Sequence, residues 1–541
     1  MSTSITNIFN INLNFRQLLI KLIFNGNEYL KGGVILTISL NSASFNGING
    51  FMVNVEVDIS KGMPSFNIVG LPDVSIKEAK ERVRLAIINS GFEFPLGRIT
   101  VNLAPASLKK VGSLFDLPLA LGILAESNQI DKKSIEEYIA IGELSLNGEI
   151  RAVEGAFCCV VGTMESKKRG FILPYGNCHE CSVLDKVKLY GFSNLKEVIN
   201  FLDTNNKKEF IREKVKIEDD KNIPFFDICG QESAKKALVI SASGKHNLIF
   251  QGPPGSGKTM LAKSIIDIMP KLTYKESLES AKIYSVSGNF NKENIIGKRP
   301  FRNPHHTTTK ISLLGGGRDL RVGEVTLAHN GVLFLDELLE FDRGTIESLR
   351  EPLENKEVRI SRNSGSVKYP SDFLFIGAFN PCPCGNYLSG INGRECTCRE
   401  SERIRYQNRL SKAILDRIDM FSFVNYVSYK EINANKHNGI LNPKEMVMDC
   451  RERQEHRFKN THLKYNSQMS HKDIRNFIKI NEECHRSLEK IYNKTGISTR
   501  GLDRIIKLSV TIMDLNKENV LTKGHIYEAI SYRKNINGEV I

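Results

Sequence analysis

Residues 252–259 have the sequence Gly252-Pro253-Pro254-Gly255-Ser256-Gly257-Lys258-Thr259, which fits the phosphate-loop pattern G-x-x-x-x-G-K-[ST] at every fixed position. The apolar run 248–250 before it predicts a buried strand, and residues 260–268 after it predict a helix. In that setting, backbone N–H groups and the helix N-terminus bind phosphates. The pattern assigns Lys258 to the β- and γ-phosphates and the Thr259 hydroxyl to Mg²⁺. The motif therefore predicts an ATP-binding domain of the α/β class.

A second motif lies at the end of another apolar run. Residues 331–335 are Gly-Val-Leu-Phe-Leu, which is typical of a buried strand, and Asp336 and Glu337 follow them. An Asp at this point can hold the Mg²⁺, and a Glu can polarise the water that attacks ATP. Either motif alone also fits a glycine-rich turn or a strand with an acidic end. Both motifs in this order predict an ATPase, with Asp336 in the cofactor site and Glu337 as a catalytic residue.

Length and composition set broad limits. A chain of 541 residues predicts about three or four domains. No apolar run reaches membrane-spanning length and residues 1–30 lack a secretory signal pattern, so we expect a cytoplasmic protein without a membrane partner. The net charge of +14 permits contact with a polyanion, although a basic solvated surface gives the same number.

Composition and periodicity divide the chain into five segments. Residues 1–35 form an N-terminal extension without a clear period. Strand-like and helix-like runs alternate over 37–205, and Lys, Glu, Asp and Asn dominate 206–222, which predicts a charged linker. The nucleotide-binding domain is predicted over 223–430. The pattern of 431–541 predicts a helical C-terminal domain.

The N-terminal extension carries a separate expectation at the level of the gene. Lys31-Gly32-Gly33 can be encoded as AAAGGAGGT, a bacterial ribosome-binding sequence, and Leu36 can be encoded by the alternative start codon TTG. We therefore expect that residues 1–35 are not translated. The mass of the native protein tests this expectation.

Further elements are predicted beyond Asp336. Two strand-like runs, 357–362 and 367–369, flank a Gly/Ser turn and predict a β-hairpin. The next buried strand, 373–379, ends at Asn380, where a polar side chain could orient water against the γ-phosphate. The basic side chains of the hairpin, which are the candidate DNA contacts, are Arg359, Arg362 and Lys368.

The order of these motifs resembles that of AAA+ ATPases of the helix-2-insert group, with magnesium chelatase, MCM helicases and MoxR-type proteins as relatives. Five short segments resemble the ComM/YifB family of magnesium-chelatase-like proteins, and the likeness covers about residues 37–535. These segments are Arg299-Pro300-Phe301-Arg302-Asn303-Pro304-His305-His306, Gly315-Gly316-Gly317, Gly323-Glu324-Val325-Thr326-Leu327-Ala328-His329, Asn380-Pro381-Cys382-Pro383-Cys384-Gly385 and Ser498-Thr499-Arg500-Gly501. The resemblance implies an α/β multidomain fold with an AAA+ core and a helical C-terminal lid.

The resemblance also implies roles for three further catalytic residues. Asn380 corresponds to sensor-1, Arg417 to an arginine finger that acts in the neighbouring subunit, and Arg500 to sensor-2. A finger acting in trans implies a ring, which we expect to be a homohexamer. The alternative for Arg417 is a structural salt bridge with Asp416 or Asp419. Two stretches depart from the family pattern, at 318–322 and 411–414, and neither contains a proposed catalytic residue.

The N-terminal domain resembles a protease fold without protease chemistry. Residues 142–148 and 171–174 resemble the Lon protease domain, whose fold is similar to that of domain 2 of ribosomal protein S5. Lon-type hydrolysis needs a serine nucleophile and a lysine base. Leu114 and Cys159 occupy the places of these two residues, so we expect no peptidase activity. A shift of one residue would bring Ser113 to the first place but still no lysine to the second.

Two clusters raise the question of a metal. The four thiols of Cys382, Cys384, Cys396 and Cys398 lie in one loop and suit a tetrahedral, structural Zn²⁺. The alternative is a pair of thiol-rich turns. The pair His305-His306 lacks further ligands at suitable spacing and predicts a packed or hydrogen-bonded turn.

Three functions compete at this stage. The family resemblance implies a hexameric DNA helicase that promotes branch migration while single-stranded DNA is integrated, and the basic hairpin and positive charge agree with it. A chelatase subunit acting on a porphyrin is not expected, because nothing in the chain resembles the integrin-like partner domain. A MoxR-like or chelatase-like chaperone that remodels a protein is the alternative. We favour the DNA motor, with ATP and Mg²⁺ as cofactors.

Overall fold

The computed structural model describes residues 38–70, 74–108, 110, 113–204, 208–211, 224–290, 297–317, 321–362, 365–387, 395–429, 442–534 and 540. The N-terminal extension, 1–35, and most of the predicted linker, 206–222, lie outside these residues.

A mixed seven-stranded sheet forms the N-terminal domain, with the strand order β3-β4-β2-β1-β5-β8-β9. Its strands and the short β6–β7 pair are β1 Ile38–Asn46, β2 Asn49–Ser60, β3 Ser65–Val69, β4 Arg98–Ala104, β5 Tyr138–Ala140, β6 Glu143–Leu144, β7 Ile150–Arg151, β8 Gly170–Pro174 and β9 Leu189–Phe192. Its helices are α1 Val74–Asn89, α2 Asp116–Glu126, α3 Lys132–Glu136, α4 Ala156–Thr163, α5 Tyr175–Cys181 and α6 Leu195–Asp203. In β2 the alternation seen in the sequence buries Val53, Val55 and Val57.

A parallel five-stranded sheet forms the centre of the second domain. Its strand order is β11-β14-β17-β10-β18. Both faces are covered: Leu248 and Phe250 belong to one buried cluster and Ile249 to another. This explains why its strands are continuous apolar runs rather than alternating ones. The strands of the sheet are β10 Leu248–Gln251, β11 Phe301–Arg302, β14 Val332–Leu335, β17 Leu374–Phe379 and β18 Met420–Phe423.

Two antiparallel hairpins and a set of helices surround this sheet. The hairpins are β12 Gly315–Gly316 with β13 Arg321–Val322, and β15 Glu357–Arg362 with β16 Gly365–Pro370. The second is the hairpin that the sequence predicts. The helices are α7 Glu232–Gly244, α8 Lys258–Ile268, α9 Tyr274–Val286, α10 Lys310–Leu314, α11 Glu324–Leu327, α12 Arg343–Glu347, α13 Arg350–Asn355, α14 Glu400–Gln407 and α15 Lys412–Leu415.

The C-terminal region is helical, as the sequence predicts. Its helices are α16 Pro443–Arg457, α17 His471–Phe477, α18 Glu482–Thr495, α19 Thr499–Leu515 and α20 Lys523–Ser531. Their apolar side chains share one buried cluster with α7 and one face of the parallel sheet. Among the described residues, none of the helices combines the length and apolar character that a membrane crossing requires.

The N-terminal domain contacts the parallel-sheet domain through α9. The backbone N–H of Gly155 donates to the carbonyl of Ser285 at 3.0 Å, and the Phe157 N–H lies 3.3 Å from the Ser285 hydroxyl. The first part of the predicted linker also packs on the N-terminal domain. The ring of Phe210 lies 5.6 Å from that of Tyr175, and the Phe210 N–H donates to Leu189. This segment is therefore part of the folded domain.

Candidate nucleotide site

Three sequence motifs meet at one edge of the parallel sheet. The phosphate loop follows β10, Asn380 follows β17, and Asp336 with Glu337 follows β14. Strand β17 lies between the other two and is parallel to both, with Gln251 opposite Phe379 and Leu335 opposite Gly377. The carboxyl ends of parallel strands form the ligand-binding edge of such sheets. The register therefore brings the three motifs to one site.

The conformation of the phosphate loop depends on its glycines. Gly255 and Gly257 have φ angles of +76° and +92°, which residues with a side chain rarely adopt. At Gly252 a Cβ atom would lie 2.1 Å from the carbonyl oxygen of Val424, which directly follows the neighbouring strand β18. The loop is thus held in its curved form by local backbone geometry and by contact with the sheet.

Lys258 connects the phosphate loop with Asn380. Its Nζ donates to the carbonyl oxygens of Gly252 and Pro253 at 2.8 and 2.7 Å, and to Oδ1 of Asn380 at 3.2 Å. Burial lowers the pKa of Lys258 to about 8, although the carboxylates of Asp336 and Glu337 act in the opposite direction. The structure therefore brings the predicted sensor-1 amide to the predicted phosphate-binding ammonium.

The two groups that the motifs assign to Mg²⁺ are adjacent. The Thr259 hydroxyl donates to Oδ2 of Asp336 at 2.5 Å, and Oδ1 of Asp336 accepts from the backbone N–H of Glu337 at 2.9 Å. Magnesium prefers oxygen ligands at about 2.0–2.1 Å and takes few of them from the protein. A hydroxyl and a carboxylate in this arrangement could hold the ion together with ATP.

Glu337 has a conformation and a partner that the sequence did not predict. Its backbone is left-handed, with φ +50°, and its side chain is about half exposed. One carboxylate oxygen, Oε2, lies 2.9 Å from Nδ1 of His306. The predicted hydrogen-bonded turn at the histidine pair is confirmed, because His305 Nδ1 lies 3.0 Å from the Thr307 hydroxyl. The contact with Glu337 depends on the parallel pairing of β11 with β14, for which the sequence carries no local signal.

The predicted arginine finger makes local contacts in this chain. The Arg417 guanidinium donates to the Ala413 carbonyl at 2.7 Å and forms an ion pair with Glu354. The expected alternative was an ion pair with Asp416 or Asp419, but the partner is neither of them, and Asp419 pairs with Arg504. A salt bridge thus exists, but with a residue that is distant in sequence.

The predicted sensor-2 residue lies on α19. Arg500 is exposed, and its side chain makes no hydrogen bond or ion pair with another residue in the described part of the chain. One turn further along, Arg504 forms the ion pair with Asp419 directly before β18. Although burial opposes the charge, Arg504 and His246 hold the pKa of the Asp419 carboxyl well below its usual range. The helix that carries Arg500 is therefore fixed to the sheet.

The four cysteines of the predicted zinc loop form one cluster. Their ligand atoms all lie within 4.8 Å of one another. The Sγ atom of Cys382 lies 3.4 Å from that of Cys384 and 3.7 Å from that of Cys396. A tetrahedron with Zn–S bonds of about 2.3 Å has edges of roughly 3.8 Å. Burial acts to raise the pKa of Cys384, but hydrogen bonds from backbone N–H groups outweigh this effect and lower the pKa to about 6. The lowered pKa favours the thiolate. The cluster is compatible with Zn²⁺.

The candidate DNA contacts lie on the β15–β16 hairpin. Arg359 and Lys368 are opposite each other in the register, and both side chains are exposed. Val358, Ile360 and Tyr369 are buried on the other face. Lys368 also pairs with Glu357 at 3.2 Å. Arg362 ends β15 and its side chain lies outside the described ones.

The protease-like positions of the N-terminal domain have structural partners. Leu114 and Cys159 are buried in its core, and burial raises the pKa of the Cys159 thiol. The Ser113 hydroxyl donates to the carboxylate of Glu143. Lys110 is also buried, and its ammonium donates to the Gly70 carbonyl at 3.0 Å.

Comparison with known families identifies three matching regions. The family model described as magnesium chelatase, subunit ChlI, matches residues 224–432. The model described as subunit ChlI of Mg-chelatase matches residues 55–177, and the model of the subunit ChlI C-terminal region matches residues 442–533. These regions correspond to the parallel-sheet domain, part of the N-terminal domain and the C-terminal helices.

Several known proteins are similar to almost the whole chain. The competence protein ComM of Haemophilus influenzae is 39% identical over 505 residues, which cover 92% of this chain and 97% of that protein. The uncharacterized protein YifB of Escherichia coli is 38% identical over 90% of this chain and 95% of its own length. YifB of Salmonella typhimurium is 37% identical with the same coverage.

The ion pair between Asp419 and Arg504 gives a stability prediction. Asp419→Asn keeps the shape of the side chain but leaves Arg504 without its charged partner, so the free energy of unfolding should fall by about 3 kcal/mol. Urea unfolding followed by circular dichroism measures the change. As the matched control, Asp503→Asn on α19, the helix that carries Arg504, disrupts an exposed pair with His471 and should cost at most about 1 kcal/mol. Equal losses in both variants would contradict the role given to Asp419.

Proposed function

The chain belongs to the ComM/YifB family of magnesium-chelatase-like AAA+ ATPases, and we propose that it is a ring motor that couples ATP hydrolysis to movement along single-stranded or branched DNA. Branch migration during the integration of single-stranded DNA is the specific task that we propose. The observation that carries the DNA assignment is the exposed pair Arg359 and Lys368. Their hairpin lies along the chain between β14, which precedes Asp336, and β17, which precedes Asn380.

We propose that hydrolysis proceeds at the edge of the parallel sheet. Lys258 binds the β- and γ-phosphates, and Thr259 with Asp336 would hold Mg²⁺, which neutralises phosphate charge when bound. Glu337 accepts the proton of the attacking water, and Asn380 orients this water. The hydrogen bond from Lys258 to Asn380 supports a shared site for the two side chains.

The ring is part of the proposal because the finger role that we propose for Arg417 places its side chain in the site of a neighbouring subunit. We propose a homohexamer in which Arg417 leaves Glu354 and reaches the γ-phosphate bound by the adjacent subunit. An arginine supplied in this way can accelerate phosphoryl transfer by about 10³-fold or more. Arg500, exposed on α19, would contact the nucleotide bound by its own or an adjacent subunit. Oligomeric rings are the usual state of AAA+ ATPases, which supports this arrangement.

The proposed DNA contact rests on the two faces of the β15–β16 hairpin. Like charges directly opposite each other on a sheet are unfavourable unless a counter-charge is near. Glu357 pairs with Lys368, and among the described residues Arg359 has no ion-pair partner. A phosphate backbone would supply the missing counter-charge, and such contacts are independent of sequence and sensitive to salt.

We also propose that the four-cysteine cluster binds a structural Zn²⁺. The cluster begins two residues after Asn380, and a Cβ at Gly385 would lie only 2.6 Å from the ring of Pro254 in the phosphate loop. A metal at this place would fix the turn that carries Asn380 against the phosphate loop. No role of this ion in the chemistry of ATP hydrolysis is proposed.

The role proposed for Glu337 gives a prediction for turnover. Glu337→Gln should retain ATP binding but lower the turnover number by about 100-fold or more, because the amide cannot accept a proton from water. Phosphate release measures turnover, and a fluorescent nucleotide measures binding. Glu340→Gln is the matched control, since Glu340 is bound by Tyr406 and Arg409. Wild-type turnover in Glu337→Gln would show that another group is the base.

The DNA assignment predicts that forked or single-stranded DNA stimulates ATP hydrolysis, and more strongly at low salt than at moderate salt. The double charge reversal Arg359→Glu and Lys368→Glu should weaken DNA binding and reduce the salt slope by about one for each lost phosphate contact. Nucleotide affinity should stay unchanged. Charge reversal at Arg486, an exposed residue of α18, is the control.

Two results would contradict the DNA assignment. Full DNA affinity in the double variant would exclude the hairpin as the contact. Absence of both binding and stimulation at either salt concentration would favour the alternative, an ATPase that remodels a protein partner.

The zinc site predicts about one Zn²⁺ per chain in protein purified without chelator. Cys382→Ser and Cys398→Ser should each lower the zinc content and the melting temperature, because a structural metal contributes its binding energy to the folded state. Atomic absorption and calorimetry are the measurements. Cys229→Ser changes an exposed cysteine outside the cluster and should alter neither value. A wild-type protein without zinc would refute the site.

A further inference from the structure

A tyrosine that belongs to none of the sequence motifs contacts the phosphate loop. The Tyr426 hydroxyl lies 2.6 Å from the carbonyl oxygen of Pro254. A carbonyl only accepts hydrogen bonds, so the hydroxyl is the donor. The aromatic ring also lies beside the loop, because a Cβ at Gly255 would be 4.0 Å from its Cε1 atom. The phenol therefore lies against two consecutive residues of the loop.

The contact follows from the topology of the sheet. Strand β18 is parallel to β10, with Gln251 opposite Phe423, so the segments after both strands leave the sheet at the same edge. The backbone N–H of Val424 donates to the carbonyl of Gln251 at 2.8 Å, which extends the pairing by one residue. The segment that carries Tyr426 therefore begins beside the first residue of the phosphate loop.

The backbone on both sides of this tyrosine is held by the turn before α7. The side-chain amide of Gln231 donates to the carbonyl of Asn425, and its Nε2 lies 3.4 Å from the carbonyl oxygen of Ser256. A Cβ at Gly230 would lie 3.3 Å from Cγ1 of Val427, so the two segments are also packed together. These contacts fix the position from which the phenol reaches the loop.

The hydrogen bond determines the orientation of one peptide unit. In a planar trans peptide, the carbonyl of Pro254 and the N–H of Gly255 point in opposite directions. A carbonyl directed at Tyr426 therefore directs the Gly255 N–H away from it. Gly255 has a φ angle of +76°, and a glycine adopts positive and negative φ about equally, so without a restraint this peptide unit could rotate.

The orientation of this N–H matters because backbone N–H groups are the phosphate ligands of such a loop. Pro254 itself has no N–H, so the next donor along the loop is that of Gly255. The ring of Pro254 is held separately, since a Cβ at Gly385 would lie 2.6 Å from its Cδ atom. A loop that is already oriented before the ligand arrives loses less conformational freedom on binding.

We propose that Tyr426 is a positioning residue that orients the peptide between Pro254 and Gly255 for phosphate binding. It acts through the loop and not through the nucleoside, so the ligands that it favours share a polyphosphate group. The proposal rests on the ATP site that we propose around Lys258, but it is independent of the DNA assignment.

The test compares Tyr426→Phe with the wild-type full chain. The Kd for ATP should rise about fivefold, which corresponds to about 1 kcal/mol and to one hydrogen bond. The KM for ATP should rise by a similar factor while the turnover number stays the same, because the loop binds the ground state and the transition state alike. Tyr429→Phe is the matched control, since it removes the hydroxyl of a tyrosine that is 80% exposed and should change none of these values.

A second measurement separates the phosphate loop from the nucleoside. A fluorescent nucleotide is displaced by ATP, by ADP and by inorganic tripolyphosphate, in the wild type and in Tyr426→Phe. An action through the loop predicts that all three affinities fall by a similar factor. A loss for ATP and ADP with an unchanged affinity for tripolyphosphate would indicate a contact with the nucleoside and would overturn the proposal.

The remaining outcomes distinguish this proposal from the proposed function. A lower melting temperature of nucleotide-free Tyr426→Phe, with unchanged ATP affinity, would assign only a structural role to the tyrosine and overturn the proposal, while the ATPase assignment stands. A lower turnover number with an unchanged KM would also overturn it. A fivefold higher Kd in Tyr426→Phe, together with a wild type that forked DNA neither binds nor stimulates, would support the role of Tyr426 and refute the DNA assignment.

Discussion

Backbone hydrogen bonding between the parallel strands β10, β17 and β14 is the constraint on which the candidate site depends. Each strand ends in a motif that has little meaning alone, and the pairing brings the three ends to one edge. The hydrogen bonds from Lys258 to Asn380 and from Thr259 to Asp336 exist because the register is correct. A shift of one residue would turn the buried side chains of β17 to the opposite face and separate these groups.

Much of this arrangement could be predicted from the sequence because its signals are local. Gly255 and Gly257 have positive φ angles that favour glycine, so the loop motif follows directly from backbone sterics. Strands buried on both faces appear as continuous apolar runs, and the β15–β16 hairpin appears as two runs about a Gly/Ser turn. The proximity of Cys382 and Cys396 was also predictable, since all four thiols lie in one loop.

The contacts that the sequence did not predict join elements that are distant along the chain. Arg417 pairs with Glu354, and His306 contacts Glu337, across separations that no periodic pattern encodes. For the histidines the prediction was a local turn, and for Arg417 the alternative to the arginine finger was a local ion pair with Asp416 or Asp419. Long-range pairing depends on strand order and on the paths of the connecting segments, and a single sequence specifies neither directly.

The N-terminal domain packs against the β15–β16 hairpin, a contact that its protease-like fold does not suggest. The turn between β1 and β2 lies against the basic hairpin: a Cβ at Gly47 would be 3.0 Å from Cγ1 of Val367 and 3.2 Å from the carbonyl oxygen of Lys368. Ile48 packs against the buried cluster that contains Ile360. The domain therefore packs on the buried face of the hairpin and leaves Arg359 and Lys368 exposed on the opposite face. An isolated two-stranded hairpin is marginally stable in water, so this support and the packing of β12 define the position of the basic surface.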